Sequence, residues 1–269
     1  MRIGSRALLV LSCFITLEAC QRVPVTGRRQ LNLVGESTLM GMASTQYADF
    51  LSQNQPLPAS DQRVQQVRGI GNKLAAAASA YLRDNNAADR VENFEWEFNV
   101  VDDNSINAWA MPGGKVVVYT GILPVTQNTE GLAVVMGHEI AHAIARHGNE
   151  RMSQALALQG AGMTLEVLTQ EKPGVARDIF MQSMGIGGQL GMLAYSRRHE
   201  SEADRMGLIF MAMAGYDPRE APKFWQRMSD ASQGQARPPE LLSTHPSDQT
   251  RMQDLEKYMS EALKYYKPQ

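Results

Sequence analysis

The chain has 269 residues, 43% of them hydrophobic, with 26 Lys and Arg against 28 Asp and Glu for a formal net charge of −2. That length and apolar content support one substantial core and leave too little for several independent domains, so a single domain is expected. The near balance of charge excludes the electrostatic footprint that a nucleic-acid partner requires.

The first nineteen residues differ in character from the rest. Arg2 and Arg6 precede an apolar run from Ala7 to Leu17, followed by Glu18, Ala19 and Cys20, which is the order of a secretory signal peptide. The run is short for a bilayer span, so a retained transmembrane helix is the weaker alternative. Leu17-Glu18-Ala19-Cys20 resembles a bacterial lipobox, and the resemblance implies cleavage after residue 19 and acylation of Cys20. Ordinary signal cleavage, with Cys20 an incidental thiol, is the competing reading. With Cys13 removed and Cys20 acylated, no thiol remains for a disulfide, and core packing or a metal must hold the fold. The mature chain then carries −3. Gln21, rather than Asp, after the cysteine points to an outer-membrane anchor facing the periplasm, with residues 20–35 as a tether and 36–269 as the domain.

The pattern then predicts helices over residues 36–51 and 60–85, separated by Pro56 and Pro58. Residues 94–100 alternate apolar and polar, and 115–120 are rich in β-branched residues and bounded by Gly113, Gly114 and Gly121; both read as strands. A helix follows over 128–147, with Asn128 or Thr129 as its cap and Gly148 as its stop. Residues 179–196 carry no charge but include five polar residues and four glycines, which favours a buried or lid-like helix over a membrane span. Ser196 caps a further helix running to Gly215, another starts near Arg219, and a terminal helix begins near Asp248. Helices, a short sheet, then helices again make an α+β fold, mainly helical.

The decisive segment is His138-Glu139-Ile140-Ala141-His142, an HExxH motif on a helix. Four residues are close to one turn, so both imidazoles leave the same face and can bind one ion. Imidazole nitrogen suits zinc, and a catalytic site keeps three protein ligands and one open position for water. Glu139 can take a proton from that water as it attacks a peptide carbonyl and return it to the leaving amine. The third ligand belongs on another element. Glu200 and Asp204 share a helix face at i,i+4, whereas Glu202 points about 200° away. Glu200 is therefore the expected ligand, with Asp204 accepting a hydrogen bond from a ligand histidine, His138 first, and Glu202 as the fallback. Salt bridges to Arg197, Arg198 and Arg205 are the alternative use of this acidic cluster. His147 and His199 carry no spacing argument and read as structural.

HEIAH followed by Glu200-x-x-x-Asp204 resembles the gluzincin peptidases that include the CAAX prenyl protease, HtpX and bacterial lipoprotein peptidases of the BepA and LoiP type. Residues 107–114 resemble the segment leading into that family's active-site edge strand, and Thr244-His245-Pro246 its late histidine motif. The resemblance implies a zincin-like metallopeptidase domain with one Zn2+, closest to the compact LoiP type without helical repeats. It gives His245 two roles, stabilising the oxyanion or closing the metal as a fourth ligand in a latent enzyme; a plain loop histidine is a third reading. Gly113, Gly114, Lys115, Val116, Val117 and Val118 are read as the edge strand that would hold an extended substrate by β-addition, with an ordinary internal strand as the alternative. Together these predict an endopeptidase acting on misfolded or stalled envelope proteins. A latent, zinc-stabilised, chaperone-like lipoprotein is the competing function.

Overall fold

The computed structural model describes residues 20–158, 164–186, 195–232, 239–246 and 249–268. The signal peptide and lipobox expected over residues 1–19 lie outside the described residues, as does the side chain of Cys20. Residues 20–35 are not a loose tether. Strands β1 (Cys20–Arg22) and β2 (Arg29–Leu31) pair antiparallel around a turn that places Val25 and Gly27 at φ 67°. The hairpin is tied to the domain: Gln30 Nε2 donates to the Ala145 carbonyl at 2.8 Å and the Leu33 N–H to Ser153 Oγ at 2.8 Å.

Helices α1 (Glu36–Gln53) and α2 (Gln62–Asp84) fall where the pattern places them. Asp61 caps α2 by accepting from the Arg63 N–H at 2.8 Å, and Val64, Val67, Leu74, Ala78 and Leu82 form its buried stripe. A β-carbon on Gly71 would stand 2.5 Å from the Phe98 ring, so the glycine is what lets α2 lie on the sheet. That sheet contains β3 (Glu97–Val101), β4 (Ala108–Met111) and β5 (Lys115–Tyr119) in the order β3-β5-β4. Strand β5 runs parallel to β3, with Phe98 opposite Val116, and antiparallel to β4, with Trp109 opposite Val117.

The residues read as an edge strand are therefore the centre of the sheet. Val116 and Val118 pack into the core shared with α2, while Val117 joins the opposite cluster with Leu39 and Tyr47 of α1. An apolar run buried on both faces is the mark of an internal strand. Gly113 and Gly114, at φ 82° and 87°, make the turn from β4 to β5. The edges are β3, met by Pro56 and Leu57, and Ala108–Met111, which lies within the segment singled out at residues 107–114.

Helix α3 (Leu123–Thr126) leads into α4 (Thr129–Ile144), whose cap is Asn128, accepting from the Gly131 N–H at 2.6 Å. The HExxH helix stops at Arg146, which takes φ 58°. Gly148 is not the stop but lies inside α5 (His147–Leu158), where a β-carbon would meet Met184 Cε at 2.4 Å. His147 thus belongs to a second helix, turned back towards the first. After α6 (Leu165–Glu171), α7 (Pro173–Ser183) ends where a longer helix was expected, with Gly185 at φ 73°. The remainder of that stretch, residues 187–194, lies outside the described residues. Ser196 caps α8 (Arg197–Met213) by accepting from the His199 N–H at 3.2 Å. The fold closes with α9 (Glu220–Ser232), α10 (Glu240–Thr244) and α11 (Gln249–Ala262). Among the described residues no helix is long and apolar enough to cross a membrane.

Helices α4 and α8 cross at two glycines. A β-carbon on Gly207 would lie 3.1 Å from the Gly137 carbonyl carbon and 3.1 Å from the His138 nitrogen. The branched side chain of Gly207→Val must push the helices apart, and the expected cost is about 1–3 kcal/mol, read as a lower urea midpoint against wild type.

Candidate metal centre

The crossing sets one turn of α4 against one turn of α8. His138 and His142 project from the first, Glu200 and Asp204 from the second, and His245 enters from the end of α10. His138 Nε2 lies 3.0 Å from His142 Nε2, 3.2 Å from His245 Nδ1 and 3.4 Å from Glu200 Oε2. Glu200 Oε1 lies 3.3 Å from His142 Nε2 and 3.0 Å from His245 Nδ1. All four residues are buried. Four atoms about 2.0–2.1 Å from a tetrahedral zinc would be about 3.3 Å apart, so the donor set has the spacing that such an ion requires.

Charge supports the same fit. Glu139, Glu200 and Asp204 are buried carboxylates, and the buried guanidinium of Arg251 pairs with the last two. The cluster needs positive charge where its donors meet. Burial opposes a charged His138, but Asp204 and Glu200 overcome it and hold that imidazole up at about 9. A divalent cation would take the place of that proton, and its binding would release it. His142 is held well below its ordinary value by burial, leaving the neutral ring that a ligand must be. Glu200 remains ionised against its burial through His245, Arg251 and His138.

The i,i+4 argument set Asp204 beside a ligand histidine, and its Oδ1 lies 2.8 Å from His138 Nδ1, so that nitrogen carries hydrogen and it is the Nε2 proton that a metal would displace to take up the lone pair. No spacing or motif pointed to Arg251, on α11, which forks onto Asp204 at 2.7 and 2.8 Å and reaches Glu200 at 2.9 Å. Its guanidinium sits 3.3 Å above the Trp225 ring, which also packs edge-on to His138. Tyr195, also missed, covers His142 and His245 with ring centroids 4.2 and 5.0 Å away.

Glu139 lies beside the donors without joining them. Its Oε1 is 3.5 Å from His245 Nε2 and has no hydrogen-bond partner among the described residues. Burial raises its carboxyl towards the range of a general base. Glu202, the fallback ligand, faces the other way, 3.2 Å from His147 Nε2 and paired with Arg28 at 2.8 Å. His147 Nδ1 in turn meets His142 Nδ1 at 2.9 Å. His199 stacks on His147 and pairs with Glu150 at 3.2 Å, so the chain's five histidines all gather at or behind the cluster.

An HExxH helix joined by a glutamate from a separate helix defines a metallopeptidase of the gluzincin kind. The chain belongs to peptidase family M48, whose model matches residues 61–259. It is 32% identical over 243 residues to the mitochondrial metalloendopeptidase OMA1 of Schizosaccharomyces pombe, covering 89% of this chain and 66% of that protein. It is 32% identical to the human metalloendopeptidase OMA1 over 264 residues, 96% of this chain and 48% of the relative. The beta-barrel assembly-enhancing protease of Escherichia coli is 31% identical over 227 residues, 82% of this chain and 43% of the relative. The chain thus spans between two fifths and two thirds of these relatives' length.

Arg251 balances two buried carboxylates, and removing one partner of such a network leaves uncompensated charge. Arg251→Met should lower the stability of the metal-stripped protein by about 3–5 kcal/mol, with a smaller loss when metal is present; urea denaturation with and without chelator measures both.

Proposed function

We propose that this chain is a zinc-dependent endopeptidase of the bacterial cell envelope, anchored through acylated Cys20 at the outer membrane and acting on misfolded or stalled envelope proteins. The reading rests on one observation: His138, His142, Glu200 and His245 converge within 4.8 Å with the Glu139 carboxylate alongside. Three imidazoles and one carboxylate favour zinc over harder ions. Bound there, zinc would polarise the scissile carbonyl and acidify a water. Glu139 accepts the proton as the water oxygen attacks the carbonyl carbon, and delivers it to the amine nitrogen as the C–N bond breaks. The names of OMA1, a metalloendopeptidase, and of the beta-barrel assembly-enhancing protease support peptide-bond hydrolysis, and the second supports envelope-protein assembly as the setting. The lipid anchor rests on the sequence alone, since the relatives named above are of the OMA1 and beta-barrel assembly-enhancing kinds and not specifically of the LoiP type.

His245 would supply a fourth donor to a bound metal, and we read this as a latent state, because a fourth protein ligand would leave no position for water. An extended substrate would pair with Ala108–Met111, the edge strand packed beside α4. A chaperone-like role without proteolysis is favoured by the same closed geometry and is separated from the first by a single pair of proteins.

The zinc-loaded chain should digest unfolded casein at the low rate of a largely latent enzyme, and Glu139→Gln should retain the metal while losing on the order of 10²–10⁴-fold of that rate. Equal behaviour of the two would leave the binding role. His245→Ala should cleave casein faster than wild type if the histidine closes the site, whereas a large loss would make it a catalytic group.

A further inference from the structure

Behind the donor cluster, a line of buried contacts runs from His142 to the N-terminal hairpin. His142 turns Nε2 towards Glu200 and His138, and Nδ1 towards His147 Nδ1 at 2.9 Å. Two bare nitrogens, or two N–H groups, would repel at that separation, so one ring must donate to the other. Glu202 decides which. Its carboxylate accepts from Arg28 Nε at 2.8 and 2.9 Å and from the Thr26 hydroxyl at 2.8 Å, and it lies 3.2 Å from His147 Nε2. An ionised carboxylate only accepts, so His147 carries its hydrogen on Nε2 and presents a bare Nδ1. His142 must then donate from Nδ1, which leaves its Nε2 lone pair aimed at the cluster.

Arg28 holds this line at its far end. Its other two nitrogens fork onto Glu150 at 2.7 and 2.7 Å, and Glu150 is itself fixed by His199. One guanidinium therefore spans α5 and α8, and its bidentate geometry fixes direction as well as charge. Arg28 precedes the residues matched to the peptidase family, 61–259, and comes from a segment whose sequence reads as a tether.

We propose that Arg28 is a positioning residue of the metal centre: by gripping Glu202 it fixes, through His147, the tautomer and direction of the ligand His142. The N-terminal hairpin is on this account part of the metal site. The inference rests on the metal-binding reading of the cluster, and one measurement tests the two separately.

The experiment strips the full chain of metal and measures its zinc affinity against a competing chelator, with the melting temperature of the stripped protein in parallel. Wild type that fails to bind zinc overturns the metal reading itself. If wild type binds, Arg28→Ala and the near-isosteric Glu202→Gln should each weaken zinc binding about 10–100-fold. The double variant should lose little more than either single, because both break one line of contacts. Arg28→Lys, which keeps a cation but cannot fork, should recover part of the affinity. Variants that melt earlier yet bind zinc as tightly as wild type would show Arg28 to be structural only, and additive losses would break the relay. Should Arg28→Ala fail to fold, Glu202→Gln alone decides, since it removes the charge and keeps the shape.

Discussion

The backbone contact between Gly137 and Gly207 governs what the rest of the molecule can do. Each glycine sits next in sequence, or one turn along, from a group of the metal cluster: Gly137 precedes His138, and Gly207 lies three residues past Asp204. With no side chain between them, α4 and α8 approach until the Glu200 carboxylate meets both imidazoles within 3.4 Å. A side chain at either glycine would push the helices apart and carry Glu200 away from the imidazoles. Chemistry at the cluster is therefore a consequence of helix packing one turn away.

That closeness concentrates charge where water cannot screen it. Burying Glu139, Glu200 and Asp204 around one another is unfavourable unless cations answer them. The molecule supplies Arg251 from the last helix and leaves the remaining deficit at the meeting point of the donors. A second tier repeats the device with one arginine: Arg28 answers Glu150 and Glu202, whose carboxyls are both held below the ordinary range despite burial, Glu202 at about 2. The two tiers differ in what closes them. Outside, the protein's own guanidinium satisfies both carboxylates; inside, the balance calls for an ion.

The sequence was most readable where a helical turn does the work. HExxH and Glu200-x-x-x-Asp204 each follow from a period of 3.6 residues, and the Asn128 and Ser196 caps follow from local hydrogen bonding. It was less readable where an answer depended on which element lies next to which. Both the central and the edge strand here are apolar, and only pairing distinguishes Lys115–Tyr119 from Ala108–Met111. Arg146 as the helix stop defeats the expectation of glycine, because a left-handed arginine can be held by tertiary contacts, here Glu36 at 3.2 Å and Gln21. Arg28, Glu202, His147 and Arg251 are scattered over the chain with no shared period, so no window of sequence could assemble them.

The closed site also determines what opening must involve. His138, Glu139, His142, Glu200 and His245 are all at most 3% exposed, so no polypeptide can reach the cluster as it stands. His245 is the only donor not carried by a long helix. It ends the five-residue α10, which is held by the Leu241 N–H on the Ile106 carbonyl at 3.2 Å and by the Tyr195 N–H on the Thr244 carbonyl at 2.8 Å. Those are two backbone bonds, one to the segment leading into β4 and one to the residue that covers His142. His245 is held besides by its own side chain on Glu200 at 3.0 Å and by Arg251 Nη1, which donates to its carbonyl at 3.4 Å. One short segment thus ties the fourth donor both to the residue that covers His142 and to the chain leading into β4, so the metal cluster and the sheet edge share a support.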